Sequence, residues 1–121
     1  MRFLCAVYVE PKAMTTLSKA EGTTLDRDSI AYDDELRKSG HYIASAALQH
    51  VTAARTLRVR KGKLSVMDGP FAETKEQLGG FILVEARNMD EAVELASKIP
   101  MAKHGSIEVR PVMEISAKPR S

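Results

Sequence analysis

The chain contains two strand–helix–strand segments separated by a hairpin, and this order restricts the fold more than any other feature of the sequence. Each segment opens with a continuous apolar run, at residues 3–9 and 80–86, which predicts a central strand covered on both faces. The helices and the strands after them are predicted at 25–39, 41–49, 89–99 and 106–112. Because each β-α-β unit should be parallel and right-handed, the order predicts an α+β, ferredoxin-like fold with an added hairpin.

The two helices are predicted from apolar spacing and from end signals. Asn88 and Glu91 form an Asx-type capping box before the second helix, and Gly40 is a natural stop after the first. Residues 12–24 show no clear period and predict a loop with at most a short helical turn. An apolar stripe at seven- and four-residue spacing defines the first helix: Leu25, Tyr32 and Leu36.

The hairpin follows from alternation on both sides of a turn. Residues 56–60 place Leu57 and Val59 on one face and the arginines Arg58 and Arg60 on the other, and Gly62 supplies a positive φ in the turn. Exposed arginines on a short edge strand can prevent it from pairing with a strand of another molecule, or they can bind an anionic ligand. The sequence leaves both roles open.

A sheet with helices on one face leaves its other face uncovered, and a second copy of the chain is the natural cover. We therefore expect a homodimer whose sheets face each other. At 121 residues the chain is expected to form one domain over 1–121, because a chain of this length buries roughly two-thirds of its unfolded surface. The residues after Ser116 are expected to form a loose tail.

Composition argues against several classes of partner. The net charge of +2 is too small to indicate nucleic acid, and the basic residues at 55–63 lack the interleaved aromatics of a base-stacking surface. The apolar N-terminal run is too short to span a membrane, so no membrane association is expected. The single cysteine, Cys5, lies in that run and is interpreted as a buried, inert thiol, which fits a cytoplasmic location.

The polar loop after the hairpin carries the most distinctive motif. Asp68, Gly69 and Pro70 form a strong turn signal. The stretch Asp68-Gly-Pro-Phe-Ala-Glu-Thr-Lys-Glu-Gln-Leu-Gly-Gly80 resembles the signature of the DGPF branch of the YCII-related (YciI-like) family, and residues 54–60 and 105–111 resemble two further stretches of that family. The resemblance covers nearly the whole chain and implies a dimeric α/β-barrel fold.

What the resemblance implies about function is less specific. Proteins of the YciI type are thought to carry a His–Asp pair in a cleft, which suggests a small enzyme, and the family is often associated with extracytoplasmic-function sigma factors. In the YciI branch the histidine lies on the first helix, but residues 25–39 contain no histidine. Only Asp68 therefore matches a family motif position.

Chain direction predicts where the site residues meet. Strands one and two should end at the same edge of the sheet, and the hairpin and its loop leave from and return to that edge. We therefore expect a small-molecule site at one rim, with Asp68 as the catalytic carboxylate and His50 as an assisting imidazole. The alternative is that Asp68 caps its own turn and that His50 faces solvent. The predicted rim also contains Glu10, Arg55, Glu73 and Lys75, and the predicted substrate-binding residues are Arg58, Glu73 and Lys75.

No metal and no cofactor are expected. His41 and His50 flank one strand and should lie about 30 Å apart at ~3.3 Å per residue, so they cannot share an ion. No G-x-S-x-G motif and no phosphate-binding glycine-rich loop is present. The acidic cluster at 33–35 is interpreted as a solvated helix face.

Three functions remain open at this point. The first is a small enzyme that uses acid–base chemistry at Asp68. The second is a ligand-binding or regulatory accessory protein without turnover, with a sigma factor as its partner. The third is a purely structural dimer, which leaves the dense mixed charge of the loop unexplained.

Overall fold

The computed structural model describes residues 1–117. Of the predicted tail, residues 118–121 lie outside this part. Two single 3-10 turns occur at Val51–Ala53 and Pro100–Lys103. In chain order the helices and strands are β1 Arg2–Val9, α1 Pro11–Thr15, α2 Lys19–Lys38, β2 Tyr42–Ala47, β3 Arg55–Arg60, β4 Lys63–Asp68, β5 Gln77–Glu85, α3 Met89–Ser97 and β6 Gly105–Pro111.

The main sheet has four strands in the order β2-β5-β1-β6, and every neighbouring pair is antiparallel. The strands β1 and β2 therefore run in the same direction with β5 between them, and β5 and β6 do so with β1 between them. This is the split β-α-β arrangement of ferredoxin-like folds. The α+β prediction is confirmed, including a hairpin inserted between the two units.

The core lies between one face of this sheet and the helices. Phe3, the best-buried large side chain, is completely shielded from solvent. Tyr32 of α2 donates a hydrogen bond from its hydroxyl to the Leu95 carbonyl of α3 at 2.6 Å, which ties the two helices together. The side chains that meet in this core include Phe3, Cys5, Val7, Val9, Tyr32, Leu36, Ile82, Val84, Ala92 and Ala96.

The opposite side of the main sheet, here called the open face, carries the alternate residues of each strand. Its centre is apolar, with Leu4 opposite Leu83 and Ala6 opposite Phe81. Both long helices pack on the other side of the sheet. By strand register the open face consists of Leu4, Ala6, Tyr8, Ala44, Ala46, Phe81, Leu83, Ser106, Glu108 and Arg110.

The long helix α2 begins six residues before its predicted start at Leu25. Ser18 is its N-cap: the Ser18 hydroxyl accepts from the Glu21 amide at 3.0 Å, and the Ser18 amide donates to the Glu21 carboxylate at 3.1 Å. This reciprocal capping box satisfies two backbone donors at the helix start. The prediction of a loop over 12–24 is therefore wrong, because the helix is started by its cap and not by its apolar stripe.

The hairpin forms a separate two-stranded sheet, and residues 55–68 are called the arm below. Its turn residues Lys61 and Gly62 both have positive φ, 52° and 74°, which matches the twist of a tight hairpin. Leu57 pairs with Val66 and Val59 with Leu64, so these four side chains share one surface, the apolar face of the arm. Every residue of the arm except Thr56 is exposed.

Cys5 is 1 % exposed, and burial raises the pKa of its thiol from 9.0 to about 11. The thiol is therefore protonated at neutral pH, as expected for an inert cysteine. Among residues 1–117, no helix has the length and apolar character needed to cross a membrane.

Candidate functional site

A cavity of about 620 Å³ lies between α2 and the helix-covered side of the sheet, at the end where β2 stops and β5 begins. Most of its wall is apolar, and Ile30 of α2 stands at the solvent side. A mostly apolar cleft with a few convergent polar groups is the usual form of a small-molecule site. The main apolar contributors are Val7, Val9, Met14, Leu25, Ile30, Leu48, Val51, Ile99 and Met101.

Two glycines of β5 form part of the cavity wall. A Cβ atom on Gly80 would lie 2.7 Å from the Ala46 carbonyl oxygen of β2, and one on Gly79 would lie 3.0 Å from a Val9 methyl group. Neither distance allows a side chain without movement of the neighbour. Gly80 therefore lets β5 lie close to β2, and Gly79 lets it lie close to the end of β1.

A row of three hydrogen-bonded side chains reaches this cavity. The Ser45 hydroxyl donates to Asp33 Oδ2 at 2.8 Å, and the Tyr42 hydroxyl lies 2.8 Å from Ser45 Oγ. Because Ser45 has a single hydroxyl proton and gives it to Asp33, Tyr42 must donate to Ser45. Asp33 Oδ1 accepts no hydrogen bond from residues 1–117. One carboxylate oxygen is thus held in place and the other is free to meet a ligand.

The far end of this row is fixed by a stacking contact. The Arg37 guanidinium lies 4.2 Å from the centroid of the Tyr42 ring and also donates to Asp34 Oδ1 at 2.6 Å. The neighbouring carboxylates Asp33 and Asp34 therefore have different surroundings. Asp33 lines the cavity, whereas Asp34 points outward to an exposed ion pair.

His50 lines the cavity at its mouth. Its Nδ1 accepts a hydrogen bond from the Thr52 amide at 3.3 Å and caps the 3-10 turn at Val51–Ala53. With Nδ1 used as an acceptor, the neutral ring carries its proton on Nε2. His50 can therefore offer an N–H donor to a ligand. The residue is also exposed to solvent, as the alternative prediction states.

The other predicted site residues lie outside the cavity wall. The Asp68 side chain is 92 % exposed and forms an ion pair with Arg55 at 3.4 Å across the base of the arm. The Arg58 guanidinium lies 5.5 Å from the centre of the Phe71 ring. Glu73 and Lys75 are exposed in the loop that follows the arm.

The expected convergence at one rim is therefore not found around the cavity: of the predicted rim residues, only His50 lines it. The physical reason is that strand direction fixes the sheet edge from which the hairpin leaves but not the direction in which it extends. The hairpin stands away from the sheet as an arm and carries Asp68 with it. The roles predicted for Asp68, Arg58, Glu73 and Lys75 remain predictions.

Part of the signature loop has a clear structural role. The Gln77 side-chain amide donates to the Ala72 carbonyl at 2.7 Å and to the Thr74 carbonyl at 3.1 Å. The Glu76 carboxylate accepts from the Ser106 hydroxyl at 2.8 Å. The two Gln77 contacts close the loop onto the start of β5, and the Glu76 contact attaches it to the start of β6.

Sequence reasoning missed Asp33, Ser45 and Tyr42. The acidic cluster at 33–35 predicts a solvated helix face, yet Asp33 continues a stripe of cavity-lining residues at three- and four-residue spacing along α2: Asp26, Ser29, Ile30 and Asp33. This stripe lies beside the buried positions of the helix and was a usable signal. Ser45 carries no comparable signal, because a serine among alanines in a strand indicates only close packing.

The described residues do not form a metal site. Within 1–117, no group of three or more histidine, cysteine, aspartate or glutamate side chains has a geometry that could hold an ion. The polar side chains that line the cavity can form hydrogen bonds and exchange protons with a ligand, and they are Asp26, Ser29, Asp33, Ser45, Gln49, His50 and Gln77.

Comparisons with known proteins agree on the fold. A protein of Rhizobium meliloti described as uncharacterised is 40 % identical over 114 residues, which is 93 % of this chain and 92 % of that protein. The solved structure of 5-chloro-2-hydroxyhydroquinone dehydrochlorinase (TftG) from Burkholderia phenoliruptrix, in complex with 2,5-dihydroxybenzoquinone, matches with a TM-score of 0.54 at 17 % identity, over 93 % of this chain and 94 % of that one. The family model of the YCII-related domain matches residues 1–116, and the chain belongs to this family.

Proposed function

We propose that this protein binds a small, largely apolar organic molecule with at least one hydroxyl group in the cavity between α2 and the sheet. The single observation that carries the proposal is the Asp33 carboxylate, which lines an otherwise mostly apolar cavity with one oxygen held by Ser45 and the other unpartnered within residues 1–117. A carboxylate oxygen in such surroundings favours a hydrogen-bond donor on the ligand. The apolar wall favours a hydrocarbon or ring skeleton.

The same geometry supports acid–base chemistry on the bound molecule. Asp33 is suited to take a proton from a ligand hydroxyl, and the Ser45 and Tyr42 hydroxyls hold its carboxylate in place through successive hydrogen bonds. His50 supplies an N–H donor at the mouth, where it can hold a second polar group of the ligand. The protein is thus proposed to be a small enzyme that moves protons and needs no covalent intermediate.

The comparison with TftG supports this proposal at the level of the fold. That protein is named as a dehydrochlorinase and its structure holds a small hydroxylated ring compound, so a chain of this architecture can hold such a ligand. At 17 % identity the likeness concerns the fold alone. The choice of ligand for the present chain therefore rests on its own cavity.

Two predicted partners remain proposals. A homodimer is proposed because the open face of the sheet has an apolar centre, formed by Leu4, Ala6, Phe81 and Leu83, that both helices leave uncovered. A sigma factor as a partner, and with it a purely regulatory role, stays a prediction without a supporting contact among residues 1–117. The predicted catalytic role of Asp68 likewise stays a prediction, because the proposed site functions without it.

The proposal is tested by ligand screening against two variants of adjacent carboxylates. Hydroquinone and a panel of small hydroxylated ring compounds are titrated into the protein, with binding followed by calorimetry and by NMR shifts of the cavity residues. We expect Asp33→Asn to weaken binding about tenfold or more, because hydrogen bonds to charged groups contribute roughly 1.5–3 kcal/mol. Asp34→Asn is the matched control, since Asp34 faces Arg37 outside the cavity, and should bind like the wild type.

Two results would count against the site. The first is equal binding by Asp33→Asn and Asp34→Asn. The second is a set of NMR shifts confined to the arm and its loop, which would return the site to the predicted position of Asp68. Mass spectrometry of the incubated ligands separates an enzyme from a binding protein, because only an enzyme yields a product that Asp33→Asn fails to form.

A further inference from the structure

The charged side chains of the cavity wall are all of one sign. Asp26 and Asp33 of α2 line the cavity, whereas no lysine or arginine of residues 1–117 does. The other polar side chains of the wall carry no charge when His50 is neutral: Ser29, Ser45, Gln49, His50 and Gln77. Because a cleft lined by charges of one sign concentrates their field, the electrostatic potential inside this cavity is negative.

The basic residues near the cavity are engaged or directed elsewhere. Arg37 of α2 forms an ion pair with Asp34 outside the cavity. Lys103 lines a separate groove of about 360 Å³. Lys12 of α1 is exposed and does not line the cavity, although α1 contributes to its wall. An anionic ligand would therefore meet two carboxylates and no lysine or arginine of the described chain.

Asp26 has no partner on its own helix. Side chains on a helix contact those three and four residues away. These positions around Asp26 hold no base: Gly22, Thr23, Ser29 and Ile30. No hydrogen bond or ion pair joins the Asp26 side chain to another residue of 1–117, whereas Asp34 pairs with Arg37 three residues on. The Asp26 carboxylate is thus available to a cationic group of a ligand.

The spacing of the two aspartates makes them the two ends of one wall. Asp26 and Asp33 are two turns apart in α2, so they share a face and are separated by about 10 Å along the axis at ~1.5 Å per residue. Ser29 and Ile30 lie between them and also line the cavity. Asp33 is half-buried and held by Ser45, whereas Asp26 is exposed. A ligand that lies along this wall meets one carboxylate at each end.

The difference in exposure decides which group of the ligand each carboxylate binds. A hydroxyl group is neutral and suits the half-buried end at Asp33. An ammonium group loses far more hydration free energy when it is buried, so it favours the exposed end at Asp26, where water still reaches it. We propose that the ligand is a hydroxylated apolar amine whose protonated amino group binds at Asp26, and that the negative wall excludes carboxylates and phosphates. This inference rests on the proposed binding of a hydroxyl group at Asp33.

Three probes that share one phenol ring and differ in the charge of the side chain test the inference. Tyramine ends in an ammonium group, tyrosol in a neutral hydroxyl and 4-hydroxyphenylacetate in a carboxylate. In calorimetric titrations at pH 7.5 and low salt, tyramine should bind about fivefold tighter than tyrosol, as for an exposed ion pair. 4-Hydroxyphenylacetate should bind at least about fivefold weaker than tyrosol. High salt should reduce both preferences, because it screens exposed charges.

Two variants of nearby carboxylates assign the preference to one residue. Asp26→Asn should bring the affinities for tyramine and tyrosol to within about twofold of each other, because the exposed ion pair is lost. Its affinity for tyrosol should stay at the wild-type value, which also shows that the variant is folded. Asp28→Asn is the matched control: it removes the same charge from α2, but Asp28 lines the separate groove and not the cavity. This control should keep the wild-type ratio of affinities.

The results distinguish this inference from the proposed function. Tyramine binding no tighter than tyrosol binding in the wild type, or an equal loss of preference in Asp26→Asn and Asp28→Asn, would overturn the amine assignment. The hydroxyl site would still stand in that case, provided that Asp33→Asn weakens the binding of tyrosol. Tyrosol binding that Asp33→Asn leaves unchanged would instead contradict the proposed function, and the assignment of the two ligand ends with it.

Discussion

Both β1 and the arm carry apolar side chains at every second position, but these side chains are covered in β1 and exposed in the arm. In β1 the residues Phe3, Cys5, Val7 and Val9 are buried under the helices. In the arm, apolar residues at the same two-residue spacing leave the apolar face in solvent. Alternation therefore indicates that a strand has an apolar side, but only the rest of the fold decides whether that side is covered and by what.

The largest expected difference between the two regions is in stability. Phe3→Ala should lower the free energy of unfolding by about 3–5 kcal/mol, because it opens a cavity in a fully buried part of the core. Leu57→Ala, in the arm, should change the free energy of unfolding at low protein concentration by no more than about 0.5 kcal/mol. Urea unfolding followed by circular dichroism, at one low protein concentration, measures both values.

A large loss from Leu57→Ala in the monomer would break the comparison. It would mean that the apolar face of the arm packs against the rest of its own chain. An equally small loss from both variants would instead show that the core does not govern stability.

The sequence is enough to predict the strands and their order but not the site. The helices and strands can be predicted because apolar runs, helical stripes and glycine turns are local signals. Accordingly, β1, β5 and α3 lie close to their predicted ranges. The start of α2 was missed although Ser18 and Glu21 form a capping box in the sequence. The capping box marks the start of this helix by itself, because the apolar stripe begins only at Leu25.

The site could be predicted only in part, for two physical reasons. His50 lines the cavity because it lies three residues after the end of β2, whose position beside β5 follows from the topology, and its assisting role stays a prediction. Asp68 lies outside that cavity, because the order of the strands does not determine the direction in which a hairpin projects, and its catalytic role stays a prediction. Asp33 resembled a solvated acid, since sequence cannot show that Ser45 faces it across the cleft.

The second contrast concerns the glycines of the two regions. Gly80→Ala should destabilise the protein by about 1–3 kcal/mol. The new Cβ would lie 2.7 Å from the Ala46 carbonyl oxygen and would push β5 away from β2. Gly62, in the arm, needs its φ of 74° but has open space around it. Gly62→Asn should therefore be tolerated, because asparagine accepts this conformation. The melting temperatures of both variants, measured by thermal unfolding, compare the two effects.

Gly22→Ala is the control for the glycine experiment. Gly22 lies within α2, and a Cβ atom added there would meet no neighbouring element within 4 Å, so alanine should stabilise the helix by roughly 0.5–1 kcal/mol. A stabilising Gly80→Ala would show that β5 and β2 can separate freely, and the role assigned to the glycine pair would be wrong.

The smallest expected difference is in the response to alkaline pH. Burial raises the pKa of Cys5 from 9.0 to about 11 and that of Tyr32 from 10.0 to about 12, whereas the charged side chains of the arm are exposed. Both buried groups are neutral when protonated, so the unfolded chain releases these protons at lower pH than the folded chain does. Their stabilising effect is complete below pH 9 and is lost as the pH rises towards 11 for Cys5 and 12 for Tyr32.

Urea midpoints at pH 8, 9, 10 and 11 measure this decline, and two variants assign it. Cys5→Ala should lower the midpoint at every pH but flatten its fall between pH 9 and 10, whereas Tyr32→Phe should flatten the fall that begins above pH 10. The arm variant Leu57→Ala should keep the wild-type slope, since it removes no buried ionisable group. A wild-type midpoint that stays constant from pH 8 to 11 would show that both groups reach water in the folded chain. The core under the helices would then be no better shielded from solvent than the arm.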